Sequence, residues 1–233
     1  MRRLLLTLVL LALAACETVP VTGRSQLKSK ISSDPRLNET VTRVGRRIAA
    51  ATGKRDYQWE FKVIDDPQAN AFCLPGGKVA VYTGILPITR DDAGLAAVLG
   101  HEVSHAIARH GGERMSQTLV VQTSLAATQT ALAGNDPLVV QSVTALLGAG
   151  ASVGLLLPWS RSQESEADHL GLIYMAKAGY HPIAARDLWV RMGEASRGGS
   201  TPPAFLSTHP SAATRVTQIE AWMPEALEYY HPR

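Results

Sequence analysis

The chain has 233 residues, with 23 basic side chains against 20 acidic ones, and two cysteines. With Arg2 and Arg3 set apart as leader, 21 basic residues face 20 acidic ones and no dense Lys/Arg stripe remains, so charge gives no argument for a nucleic-acid partner. Two cysteines exclude a disulfide-stapled framework, and the length is enough for one well-buried core.

The N-terminus, MRRLLLTLVLLALAAC, places two arginines before an apolar run that is short for a membrane span. Residues 1–15 read as an export signal, and LAAC resembles the lipobox of bacterial lipoproteins, which makes Cys16 the lipidation site. Acyl chains there would attach the protein to a membrane. Glu17 in place of an aspartate resembles the sorting pattern for the outer membrane, facing the periplasm. Residues 16–33 are expected to form a lipid-attached tether and 34–233 a single domain.

The domain opens with a helix over residues 34–51, where Leu37, Val41, Val44 and Ile48 recur at helical spacing behind a capping Asp34 and Pro35. YQWEFKVID then alternates apolar and polar residues as a strand does. NAFCLPGGKVAVYTGIL holds two more strands around a Pro-Gly-Gly turn, which predicts a small antiparallel sheet. A helix is expected over 92–110, closing at Gly111-Gly112, followed by apolar helical segments at 114–133 and 137–157 joined by the turn GNDP. These two are expected as a buried hairpin supporting the preceding helix, with membrane contact left open. Further helices are expected over 162–178, from Pro182, and from Pro210 or Ser211 after a flexible RGGSTPP loop. Cys73 is expected to be a buried, inert thiol.

The chemistry centres on HEVSH. His101 and His105 are one helical turn apart on one face, and two imidazoles so placed can hold a single Zn²⁺ with Glu102 beside them to manage a water. A third donor is needed, and SRSQESEADHLGLIY offers Glu164, Glu166, Asp168 and His169. Glu164 and Asp168 share a helical face, so one can bind metal while the other accepts an imidazole N–H, but spacing does not order them. His110 would lie about 13 Å along the axis from His101 and is set aside as a ligand, with a role in closing its helix.

HEVSH, followed at a distance by ESEAD, resembles the M48 family of zinc metallopeptidases, in its bacterial periplasmic, Oma1-like branch. NAFCLPGG and THPSAATR resemble two further segments of that branch, and the four motifs stand in the family's order. The resemblance implies a mainly helical α+β, zincin-like domain with a small antiparallel sheet beside the HExxH helix. It implies one Zn²⁺ per chain on His101, His105 and Glu164, with Glu102 as general base and Asp168 in support. It also places His209 and Arg215 near the metal. His209 is left with three roles: oxyanion donor, blocker of the metal's open position, or helix cap. Extended or unfolded polypeptides are the expected substrates, adding to a free strand edge formed by Val79, Ala80, Val81, Tyr82 and Thr83. Outer-membrane assembly machinery is a candidate partner. The rival readings are a noncatalytic envelope chaperone that keeps its zinc and a cell-wall peptide amidase.

Overall fold

The computed structural model describes residues 31–198, 203–209 and 212–232. The signal, Cys16 and nearly all of the expected tether lie outside the described residues, as do residues 199–202 of the RGGSTPP loop. Helix α1 (Pro35–Ala51) starts where the Asp34 carboxylate accepts the N–H groups of Arg36 and Leu37, and Pro35 fits the first turn. Its buried stripe of Val41, Val44 and Ile48 faces the sheet. Gly45 belongs to that stripe because the Phe61 ring occupies the space of a side chain: a Cβ would fall 2.3 Å from it.

Strands β1 (Glu60–Ile64), β2 (Ala71–Leu74) and β3 (Lys78–Tyr82) form one sheet in the order β1-β3-β2. The β2–β3 hairpin is antiparallel and turns through Gly76 and Gly77, both at positive φ. Strand β1 is parallel to β3, with Phe61 opposite Val79 and Val63 opposite Val81. The sheet is therefore mixed rather than antiparallel, and β3 lies in its middle. This corrects the expected free edge: Val79, Ala80 and Val81 have strand partners on both sides. Tyr82 pairs with Ile64 and donates its N–H to the Asn70 carbonyl, while Thr83 already belongs to the 3₁₀ turn Thr83–Ile85. Apolar alternation reports which face a side chain takes, not which strand lies alongside or in which direction it runs. The strand bordering the site with no second strand partner among the described residues is β2. On the other side, Ile31 bridges Ile64 and the Ser32 N–H bonds the Val63 carbonyl, so residues 31–33 belong to the domain rather than to a tether.

After a short helix α2 (Leu86–Thr89), helix α3 (Asp92–Ile107) begins at Asp91, whose carboxylate accepts the Gly94 N–H at 2.8 Å. Every α3 residue from Gly94 to Ala106 is buried. The helix ends earlier than expected, because Arg109 takes a left-handed conformation (φ 59°) and α4 (His110–Ala131) starts at once, with Gly111 and Gly112 inside it.

Helix α5 (Pro137–Ala151) runs through a π turn (Ser152–Leu156) into α6 (Leu157–Lys177). The expected separate helix is thus part of one continuous helix, Pro137–Lys177. The widened turn precedes Pro158, which has no N–H to give to a regular ladder. Helix α6 packs on α3 at Gly100 and Gly171; a Cβ on Gly171 would lie 2.8 Å from the Gly100 carbonyl carbon and the His101 nitrogen. Helices α7 (Ile183–Gly198), α8 (Ala204–Thr208) and α9 (Ala212–Glu228) close the domain, and the expected helix start at Pro210 or Ser211 lies outside the described residues.

The α4–α5 hairpin is not buried, contrary to expectation. Met115, Leu138 and Leu146 are 74%, 70% and 75% exposed. Helix α3 is already covered by α1, β2, α6 and α7, so among the described residues its apolar surface is taken up without the hairpin.

Candidate metal centre

Helix α3 carries His101 and His105 on one face, α6 brings Glu164, and His209 follows α8. One donor atom from each of these four buried residues lies within 4.8 Å of the others. His101 Nε2 is 3.0 Å from His105 Nε2, 3.2 Å from His209 Nδ1 and 3.4 Å from Glu164 Oε2. A tetrahedron with zinc-to-ligand bonds of 2.0–2.1 Å has edges of about 3.4 Å, so these spacings and this N/O donor set fit Zn²⁺. A second observation points the same way. Among the described residues, buried Glu102 Oε1 and Glu164 Oε1 accept no hydrogen bond and meet imidazole nitrogens at 3.4 Å, His209 Nε2 and His105 Nε2 respectively, a costly state for a carboxylate unless a cation or water meets it.

The surroundings orient the rings. His101 Nδ1 is 3.0 Å from Asp168 Oδ1; a neutral ring that donates there presents its Nε2 lone pair to the cluster. Asp168 is gripped in turn through both oxygens by Arg215, which also bonds Glu164 Oε2 at 3.2 Å and lies 3.5 Å above the Trp189 ring. Arg215 is 2% exposed, a buried clamp on two carboxylates rather than a surface residue.

His110 is the residue that spacing concealed. Its Nδ1 is 2.9 Å from His105 Nδ1, and its Nε2 is 3.3 Å from Glu166 Oε2, which leaves His105 Nε2 aimed at the cluster. In a straight helix His110 would stand about 140° around the axis from His105; the left-handed Arg109 folds it back instead. Its expected part in closing a helix is replaced by this ring contact. His169 lies elsewhere, stacked on Trp222 and paired with Glu225.

Burial and the neighbouring Arg215 both press the His101 pKa down, but Asp168 and Glu164 outweigh them and raise it to about 9. Burial and the charge on His101 push His105 down to about 3. Burial alone would raise Glu164, yet contacts with the three imidazoles hold it well below the usual carboxylate range. Glu102 is raised, chiefly by burial. The site thus holds a carboxylate suited to stay charged and another suited to take a proton.

A cleft of about 450 Å³ opens beside the cluster, lined by Glu102, His105, His209, Phe72 and Cys73, and by Arg114 at its rim. Its β-strand wall is β2, not β3. Cys73 is half-buried rather than buried, and desolvation in the cleft wall raises its thiol far above the ordinary pKa, which disfavours the thiolate.

Three known relatives resemble the chain. It is 47% identical over 188 residues to mitochondrial metalloendopeptidase OMA1 of Schizosaccharomyces pombe, covering 80% of this chain and 53% of that protein. It is 40% identical over 185 residues to mitochondrial metalloendopeptidase OMA1 of Saccharomyces cerevisiae, with coverage of 74% and 49%. To the beta-barrel assembly-enhancing protease of Yersinia pestis it is 28% identical over 190 residues, with coverage of 79% and 38%. The chain spans about half the length of these relatives or less. The model of peptidase family M48 matches residues 35–223, which take in the sheet, the HExxH helix, Glu164, His209 and Arg215. The chain belongs to peptidase family M48.

Proposed function

We propose that this chain is a zinc-dependent endopeptidase acting on extended or unfolded polypeptides at a bacterial cell envelope. The observation that carries the reading is the buried four-donor cluster with Glu102 beside it, open to a cleft walled by a strand. His101, His105 and Glu164 would hold the ion. Bound there, zinc supplies Lewis acidity that lowers the pKa of a water and polarises the scissile carbonyl.

The rest of the work falls to the chain's own groups. Glu102, raised in pKa by burial, accepts the proton of the attacking water and passes it to the departing amine. Asp168 and Arg215 keep His101 in one tautomer and Glu164 in place. Strand β2 offers free backbone groups along the cleft, so a substrate strand can pair there with little side-chain selection. The envelope setting rests on the leader and Cys16, and the name of the Yersinia relative supports a link to outer-membrane assembly.

Glu102→Gln tests this on protein lacking residues 1–16. Casein cleavage should fall by about 10²–10⁴-fold while zinc content stays at one per chain. Undiminished cleavage by the variant, or wild type that takes up no zinc, would defeat the reading.

His209 has a distinct second reading. Its Nδ1 sits among the donors, 2.7 Å from Glu164 Oε2, and its Nε2 is 3.4 Å from Glu102 Oε1. That position favours the blocking role, with His209 filling the place that water needs. His209→Ala should then raise casein cleavage several-fold, whereas an oxyanion donor would lower it, by about 10²-fold or more.

A further inference from the structure

The α4–α5 hairpin leaves more apolar surface uncovered than any other part of the described structure. From Met115 to Ser160 the only charged residue is Asp136, at the turn. Arginines stand at the other end, with Arg109 and Arg114 at the start of α4 and Arg161 three residues before Glu164. There the legs are joined by Gln163 Nε2, which donates to Glu113 Oε2 at 3.0 Å.

We propose that residues 115–157 insert into a lipid bilayer as a helical hairpin, with Asp136 at the far headgroups and the three arginines at the near ones. Four observations favour hydrocarbon over a protein partner. Residues 137–157 rise about 30 Å, the thickness of a hydrocarbon core. Among the described residues, the Pro137–Lys177 helix is long and apolar enough to cross a membrane, and none of its apolar stretch is buried against them. The inner faces are already paired, with Gly148 receiving Leu125, while the exposed apolar residues of α5 continue around its outside at Leu138, Val139, Leu146 and Leu147, and α4 adds Met115, Leu119 and Val120 between exposed Gln, Ser and Thr side chains. A protein partner calls for one stripe, whereas apolar character all round suits lipid. Finally, the exposed hydroxyls of Thr118, Thr123, Ser124, Thr130, Ser142 and Ser152 each donate to a carbonyl four residues back, so they need no water.

Gln129 and Gln141 lie near the turn, at the level of the far headgroups, which leaves Gln122 as the exposed amide at mid-height. Insertion also fixes where the cleft lies. Arg109, Gly111, Gly112 and Arg114 line it, so its rim would sit at the membrane surface.

The test uses the full chain with Cys16→Ser and Cys73→Ser, a single cysteine at position 146 (Leu146→Cys) carrying an NBD fluorophore, and vesicles of phosphatidylethanolamine and phosphatidylglycerol. Emission should shift to the blue on vesicle addition and be quenched by lipids spin-labelled at mid-chain. A label placed through Glu39→Cys on the polar face of α1 should do neither. Gln122→Leu should raise vesicle partitioning by about threefold or more, and Leu146→Asp should lower it by more than about tenfold. A water-exposed label at position 146 in the presence of vesicles would overturn the proposal. So would shielding without vesicles that grows with protein concentration, which is a second copy, or shielding that requires unfolded polypeptide, which is a client. The readout needs no turnover, so it stands or falls apart from the catalytic reading. Casein cleavage by both partitioning variants in solution should match the parent chain.

Discussion

The continuous helix Pro137–Lys177 behaves as two different materials. Its first half is apolar and exposed, with Leu138, Leu146 and Val153 at 66–75% exposure. Its second half carries Gln163, Glu164 and Asp168 buried to 5% exposure or less. Hydropathy alone would have reversed the two. Carboxylates enter a protein interior when imidazoles and a guanidinium meet them, and Glu164 and Asp168 have these from α3, α9 and the residue after α8. Apolar side chains leave water only when a facing surface exists, and among the described residues the first half packs against the other leg of the hairpin, which leaves its outer side open.

The largest way to break the comparison is to remove the clamp on the polar half. Arg215→Ala leaves Asp168 and Glu164 buried beside fewer positive partners and empties the space over Trp189. A buried pair broken from one side costs about 3–5 kcal/mol. The variant should therefore unfold at markedly lower urea than the parent, and added zinc should recover part of the loss through His101, His105 and Glu164. If the metal-free variant matches the parent in a urea titration, Arg215 is not the counterweight that keeps the second half inside.

A middle-sized effect sharpens the comparison from the proton side. A histidine must be neutral to bind metal. With His101 raised to about 9, uptake of zinc below that pH releases its proton, so apparent affinity should rise about tenfold per pH unit up to about 9 and level off above it. His105, held down near 3, is already neutral over that range and adds no slope. The metal-free fold has the opposite dependence on His101: a raised pKa stabilises it fully below about 6.5, and the gain is lost as pH rises through 9. Chelator competition at several pH values reads the slope, and a flat profile would contradict the charged His101.

How far the sequence disclosed this site follows from what periodicity can carry. His101 and His105 stand one turn apart on one helix with Glu102 beside them, so the pair's common face was legible. Glu164 and Asp168 were legible as a pair, though spacing left them unordered. His110 was not legible, because its approach to His105 depends on a left-handed Arg109 that no apolar pattern announces. The first helix of the domain followed from capping and spacing, as Asp34 shows. The sheet's order did not, since the β1-to-β2 connection passes to the far side of β3 and alternation is blind to that crossing. The hairpin failed for a third reason: an apolar segment signals a need for cover without saying whether protein or lipid supplies it.

The smallest predicted effect probes the apolar half where it is most exposed. Leu146→Ala removes a side chain that is 75% open, so in water its loss should change stability by no more than about 0.5 kcal/mol. Leu172→Ala, in the same continuous helix but 1% exposed and part of the core, should cost about 2–5 kcal/mol. Both substitutions delete the same atoms from the same kind of backbone, so the ratio of the two costs measures environment alone. Urea unfolding of each variant with vesicles absent gives that ratio. Equal costs would mean that position 146 is covered in solution, and the contrast between the two halves of the helix would have to be given up.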